Sequence, residues 1–413
     1  MSSMRGPGLA SGSGGEAAFT LGRLPRITFG PGSMAAVPRI VAGHGRRVLL
    51  VTGQGSFAAS GRQAALESGL SDAGVVLVGR VATDPEPGPE TIDRAVSAWA
   101  ASHVEVVLGV GGGSALDAAK AIAGLLRTRD PVRTHLEGFA DQRPYEGPAV
   151  PMVAVPTTAG TGSEATRNAV ISRRGPDGFK RSFRDERLVP ADAVVDPDLL
   201  AGLPPASIAF NGLDALTQLL ESFMSLRAGP ITDALALDGL AAIRDGLLAW
   251  HRDPEGVGAP AARTRVAYGA LLSGICLANA GLGAVHGLAA PLGAELPIPH
   301  GAACGAVLWQ TTEMTIRVLA DREPGSPALE RLATVGRVLA DLPSDATDEE
   351  SRDALVGVLR KWVSALETPG LASFGLDEAG IRTVIAGSRG SSMRTHPVVL
   401  TDADLEAILR ASR

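Results

Sequence analysis

The chain has 413 residues, 45% of them hydrophobic and 20% charged, enough to bury a substantial core and more than one domain usually holds. A formal net charge of -6 gives no electrostatic reason to bind nucleic acid or an anionic membrane, and no run approaches the roughly 18–20 apolar residues of a membrane span. A cytoplasmic protein with a small-molecule partner is therefore the expectation, since the first residues also lack the apolar centre of a signal peptide.

Residues 1–17 are mostly Gly, Ser and Ala with little to bury, and read as a disordered tail. Beyond them RRVLLVTG, VVLVGRV, VEVVLGVGGG, VPMVAVPTT and AVVDPDLL are predicted strands, separated by Ala-rich stretches of helical period. That alternation predicts α/β structure, a Rossmann-like parallel sheet over residues 18–199. After the proline pair of AGLPPASIAF the β-branched runs all but vanish, so residues 200–413 are predicted to form an all-helical domain. The only cysteines are Cys276 and Cys304, which excludes a CxxC motif, and any metal is expected to be held by nitrogen and oxygen donors.

Four stretches could carry chemistry. The strand VEVVLGVGGG runs into Gly111, Gly112 and Gly113, and the helix that follows has Ser114 and Asp117 at the spacing of a capping box. Glycines let a phosphate approach the backbone, and a helix amino end favours the anion. The loop is a candidate pyrophosphate cradle; because it fails GxGxxG, an ordinary glycine-rich turn is the alternative. At another strand end, VAVPTTAGTGSEAT supplies Thr157, Thr158, Thr161 and Ser163, whose hydroxyls could reach phosphate, ribose or a carboxamide, or simply cap a helix. In FNGLDALTQLLES, Asp214 and Gln218 leave one helix face a turn apart and Glu221 continues the stripe. This reads either as two oxygen donors for a cation or as a solvated face. His286 and His300, with three prolines between them and a glycine after each, would complete a four-ligand site for zinc or iron(II).

In order and spacing, GGGSALDAAKA, PTTAGTGSEAT, DPDLLAGLPP, GLDALTQLLES and HGLAAPLGAELPIPHG resemble the iron-containing (group III) alcohol dehydrogenase family. The resemblance implies a Rossmann-like domain and a helical domain, an architecture shared with dehydroquinate synthase. It also implies a homodimer, with a dinucleotide (NADP or NAD) and a divalent metal (Fe2+ or Zn2+) in the cleft. Position by position, it puts Gly111, Gly112, Gly113, Ser114 and Asp117 on the pyrophosphate loop and Thr157, Thr158 and Thr161 on the second cofactor loop. Lys180 falls near the ribose and nicotinamide, and Asp214, Gln218, His286 and His300 fall around the metal.

Three positions depart from the family pattern. Gln218 stands where most members have histidine, Ala290 replaces a histidine next to the nicotinamide, and Gly53 replaces the aspartate of NAD-preferring members. Without that aspartate a 2′-phosphate is not repelled, and Ser56 and the loop amides could hold it. The implied reaction is reversible hydride transfer between a nicotinamide and a primary alcohol or aldehyde, with Asp214, His286 and His300 acting through a Lewis-acid metal. Alternatives are reduction of an anionic aldehyde such as phosphonoacetaldehyde, met by Arg167, Arg389 or Arg394, a lyase resembling dehydroquinate synthase, and a metal-poor relative that only binds nucleotide.

Overall fold

The computed structural model describes residues 18–173 and 178–413, so the expected tail at 1–17 lies outside the described residues. Among the described residues eight strands form: β1 (Arg26–Phe29), β2 (Arg47–Gly53), β3 (Val76–Thr83), β4 (Val106–Gly111), β5 (Met152–Pro156), β6 (Asn168–Arg173), β7 (Phe179–Arg184) and β8 (Asp192–Val195). Six of them make one parallel sheet in the order β1-β8-β5-β4-β2-β3, and β6 with β7 makes an antiparallel hairpin. The helices of this half are α1 (Val37–His44), α2 (Ser56–Ala59), α3 (Arg62–Asp72), α4 (Pro89–Trp99) and α5 (Gly113–Thr128). They cover both sheet faces, which is why β4 and β5 are buried at every residue and read as unbroken apolar runs.

Three strands escape the sequence pattern. β1 is four residues long and lies at the sheet edge, with Arg26 and Ile27 exposed. β6 mixes buried and part-exposed residues and β7 buries only Phe183, as a half-covered hairpin does, and neither has a continuous Val/Leu run. The segment AVVDPDLL is a strand only to Val195; Asp196 then caps a short 3-10 turn over Pro197–Leu200, its carboxylate accepting from the Asp198 amide.

Everything after this turn is helical: α6 (Pro205–Met224), α7 (Pro230–Arg252), α8 (Ala259–Ala280), α9 (Ala284–Glu295), α10 (His300–Arg322), α11 (Pro327–Ala340), α12 (Asp348–Ala365), α13 (Glu378–Gly387) and α14 (Asp402–Ala411). At the centre is α6, packed against α7, α8 and α10, and every one of its residues from Gly212 to Met224 is buried. The Asp214–Gln218–Glu221 stripe therefore faces the interior, and the solvated-face reading fails. Among the described residues no single helix is long and apolar enough to cross a membrane.

Chain direction fixes where a ligand can enter the sheet half. From β2 the chain moves outward to β3, then crosses back to β4 on the other side of β2 and continues to β5. The connections leaving β2 and β4 thus diverge, opening a crevice at their carboxyl ends.

Candidate active site

Three strand ends line this crevice. Gly53 ends β2, and the space where its side chain would begin is open. At the end of β4, Gly111 adopts a positive φ of 158°, and a methyl group there would lie 2.6 Å from the Ala115 methyl. Side chains on Gly112 and Gly113 would meet Thr158 at 3.2 Å and the Thr161 hydroxyl at 2.7 Å, so the loops after β4 and β5 touch only because glycines stand there. Helix α5 starts two residues earlier than a Ser114 cap requires. Gly112 is its N-cap, no side chain caps it, and the capping box does not form. Its first amides remain without a side-chain acceptor at the crevice, the arrangement that favours an anion.

Asp117 turns the other way. One of its oxygens accepts from the Ser163 hydroxyl at 2.5 Å and pairs with Lys120 at 3.0 Å, and the other accepts from the Val170 amide at 3.0 Å. The fully buried Lys120 ammonium also donates to the Ser163 carbonyl and the Thr166 hydroxyl, locking α5 to the second loop. The side chain of Ser56 lies outside what is described.

A buried acid beside this lock carries a stability prediction. Burial raises the Glu164 carboxyl to about 7, against the opposing pull of Lys120. A carboxyl whose folded pKa exceeds its unfolded value favours folding while protonated, so this contribution falls as pH rises from the ordinary glutamate range through 7. Glu164→Gln is expected to remove the fall, gaining up to about 3 kcal/mol on the native protein between pH 5 and 8 in urea titrations. Parallel pH profiles for the two proteins would refute this.

The second loop also seats on the helical half. Gly162 and Gly274 of α8 meet backbone to backbone, with no room for a side chain on either. Gly160 packs on Asn211 of α6, and its carbonyl accepts from the Ser273 hydroxyl at 3.3 Å.

Beyond this contact three helices bring four donors together. Asp214 comes from α6, His286 from α9, and His300 and Cys304 from α10, where i, i+4 spacing puts both on one face. One donor atom from each lies within 4.8 Å of all the others. The Asp214 Oδ1 is 3.2 Å from His286 Nε2 and 3.8 Å from His300 Nε2. The Cys304 Sγ is 3.7 Å from His286 Nε2, 3.9 Å from His300 Nε2 and 3.9 Å from Asp214 Oδ1. Cys304 brings a sulfur among the nitrogen and oxygen donors that were expected. Its position four residues after His300 on a helix was the signal available for it.

Gln218 sits beside the cluster but does not aim its oxygen into it. Its Nε2 donates to Asp214 Oδ1 at 3.0 Å, and its Oε1 accepts from the Ser273 hydroxyl at 3.0 Å. Glu221, the third member of the stripe, accepts from His286 Nδ1 and from the Val285 amide, both at 2.6 Å. That bond fixes the ring and turns Nε2 toward Asp214.

The charges follow from burial and neighbours. Burial opposes charge on the His286 ring, but facing Cys304, Asp214 and Glu221 outweigh it and raise its pKa well above the ordinary value. Burial also works against the Asp214 anion, yet the two histidines and Gln218 hold its pKa below the usual range. Burial and the Lys180 ammonium push His300 down to about 3, leaving a neutral imidazole. Burial raises the Cys304 thiol. Lys180 itself projects from β7 toward Gly293 of α9. Ala290 is exposed on α9, four residues after His286.

A dinucleotide-type crevice whose second loop seats on the helices that carry a cluster of cation donors has the parts of a nicotinamide-linked oxidoreductase. Residues 25–197 match the family described as iron-containing alcohol dehydrogenase, and residues 208–413 match its C-terminal domain. The chain belongs to the iron-containing alcohol dehydrogenase family, and its chemistry is oxidoreduction of alcohols and aldehydes with NAD(P)(H). It is similar to alcohol dehydrogenase 4 of Saccharomyces cerevisiae, with 36% identity over 286 residues covering 69% of this chain and 72% of the yeast protein. An archaeal halo-thermophilic alcohol dehydrogenase from a Red Sea brine pool superposes with a TM-score of 0.87 at 26% identity, covering 96% and 99% of the two chains. Sulfoacetaldehyde reductase from Bifidobacterium kashiwanohense, solved with NAD+, superposes with a TM-score of 0.82 at 25% identity, covering 96% and 98%.

Proposed function

We propose that this enzyme interconverts primary alcohols and aldehydes with either NADP(H) or NAD(H), using one divalent metal, Fe2+ or Zn2+, held by Asp214, His286 and His300. The supporting observation is the convergence of these three donors, on buried helices, beside the loops of the dinucleotide crevice. Such a donor set suits a hard-to-borderline divalent cation. When bound, that cation supplies a Lewis acid for the substrate oxygen and the nicotinamide carries the hydride.

The chain's own residues prepare the exchange. Asp214 brings the negative charge that anchors a cation, Glu221 keeps His286 oriented, and Lys180 helps keep His300 unprotonated and ready to coordinate. Gly111, Gly112, Gly113 and Ser114 offer α5 amides to the pyrophosphate, while Thr157, Thr158 and Thr161 offer hydroxyls to the remainder of the cofactor. Asp117 acts by tying the two loops together. Ala290 has no titratable group, so water or another group relays the alcohol proton in its place. Gly53 leaves room for a 2′-phosphate, the support for NADP(H). A homodimer accompanies this reading, supported by the outer edge of β1, which no strand pairs among the described residues, and the exposed Phe19, Leu21 and Ile27.

Protein purified without chelator, from medium containing iron and zinc, is expected to carry about one metal equivalent. It is expected to reduce aldehydes with NADPH and NADH at kcat/KM values within about tenfold of each other. No metal, or no turnover with any aldehyde, would defeat the reading; a hundredfold cofactor preference would defeat its dual-cofactor part.

A second reading, an anionic aldehyde such as phosphonoacetaldehyde, draws on an arginine group around the hairpin. Burial and the nearby like charges of Arg167, Arg227 and Arg394 lower the pKa of Arg184, against the pull of Glu137. Arg389 is committed elsewhere, to Asp402 and the Leu400 carbonyl. A kcat/KM comparison of anionic and neutral aldehydes, in the native protein and Arg394→Ala, separates the two readings.

A further inference from the structure

We infer that Cys304 is a metal ligand: its sulfur completes the Asp214–His286–His300 donor set, while Gln218 positions Asp214 from outside it. This rests on the reading that the cluster holds a divalent cation.

Donor spacing carries the first part. Bond lengths of about 2.0–2.1 Å to nitrogen or oxygen and about 2.3 Å to sulfur, at tetrahedral angles, separate two N/O donors by about 3.4 Å and sulfur from either by about 3.6 Å. The N/O separations at Asp214 are 3.2 and 3.8 Å, and the three separations from Cys304 Sγ are 3.7, 3.9 and 3.9 Å. All five edges lie within a few tenths of an ångström of one tetrahedron. The sulfur is fully buried, and its polar neighbours at these distances are the other three donors.

The amide at 218 carries the second part. With Nε2 toward Asp214 it makes two good bonds, to the carboxylate and to Ser273. Turned over with no cation between them, it would set its oxygen 3.0 Å from a carboxylate oxygen, a repulsive contact in a buried site. In the arrangement seen, the amide donates to Asp214 and presents no oxygen to the cluster. Cys304 would hold the cation as a thiolate, its proton lost to solvent. A thiolate also biases the site toward Zn2+ over Fe2+ among the two metals considered.

Cobalt(II) added to the chelator-stripped full-length protein tests this without any turnover measurement. Sulfur bound to cobalt gives an intense near-ultraviolet charge-transfer band, and the chain has only one other cysteine, Cys276, which lies apart against the Thr232 carbonyl. The expected result is a stoichiometric band in the native protein that survives Cys276→Ala and Gln218→Ala and disappears in Cys304→Ser. Cobalt that binds the native protein without the band overturns the assignment of Cys304 and leaves the metal reading standing. A native protein that takes up no cobalt overturns both. Competition is the second readout: the native protein should prefer Zn2+ over Fe2+ by at least about tenfold more than Cys304→Ser does, and equal preferences count against a bound thiolate.

Discussion

His286→Ala is expected to lose its metal and at least about a thousandfold in kcat, the several kcal/mol that a placed Lewis acid contributes. The ring bridges Asp214 and Glu221, and its removal leaves two buried carboxylates facing a void. Some loss of stability is therefore expected too, of order 3–5 kcal/mol for an opened buried pair. Metal content and turnover should accordingly be measured on the monodisperse, folded fraction. Folded, metal-free His286→Ala protein with native turnover would show that the reaction needs no Lewis acid at this cluster. In the native protein, the raised pKa of His286 makes protons compete with the cation, so metal affinity should weaken as pH falls.

Gly301→Ala is expected to act on the same cluster through the backbone. Gly301 follows His300 at the start of α10, and a methyl group there would overlap the carbonyl of Phe210 on α6. Backbone cannot rotate aside as a side chain can, so α10 must move off α6, carrying His300 and Cys304 away from Asp214. Overpacking of this kind costs about 1–3 kcal/mol, and the displaced donors should lower metal affinity by at least about tenfold in the molecules that still fold. Gly357→Ala is the matched control, because the added methyl group meets nothing and sits within α12. It should leave metal binding unchanged and stabilise the helix by up to about 1 kcal/mol. Native metal affinity in folded Gly301→Ala protein would show that the α6–α10 approach does not set the donor geometry.

Much of this was legible before the structure. The strands β2, β4 and β5 announce themselves because both sheet faces are covered and their interiors are apolar without interruption. β1, β6 and β7 do not, since an edge strand and a half-exposed hairpin mix arginine and serine among their apolar residues. Asp214, His286 and His300 were recognisable from motif and order. The orientation of Gln218 was not, because it is decided by Ser273, 55 residues away in the chain. Cys304 lies one helical turn after His300, a spacing that places its sulfur beside the imidazole and that the absence of a cysteine pair does not reveal. At Ser114 and Asp117 local spacing misled: the acid is claimed by Ser163 and Val170 across the fold, which no local pattern reports.

All four cluster donors belong to helices of the second half, while the glycine and threonine loops belong to the first. A rigid-body rotation of one half against the other, pivoting where Gly162 rests on Gly274, changes the gap between nucleotide and cluster but leaves every donor-to-donor distance intact. Cofactor and product can then exchange through an opening cleft in each turnover while the cation stays loaded. A cation held there would leave through local fluctuations of α6, α9 and α10, the helices that carry its donors, and not through that rotation.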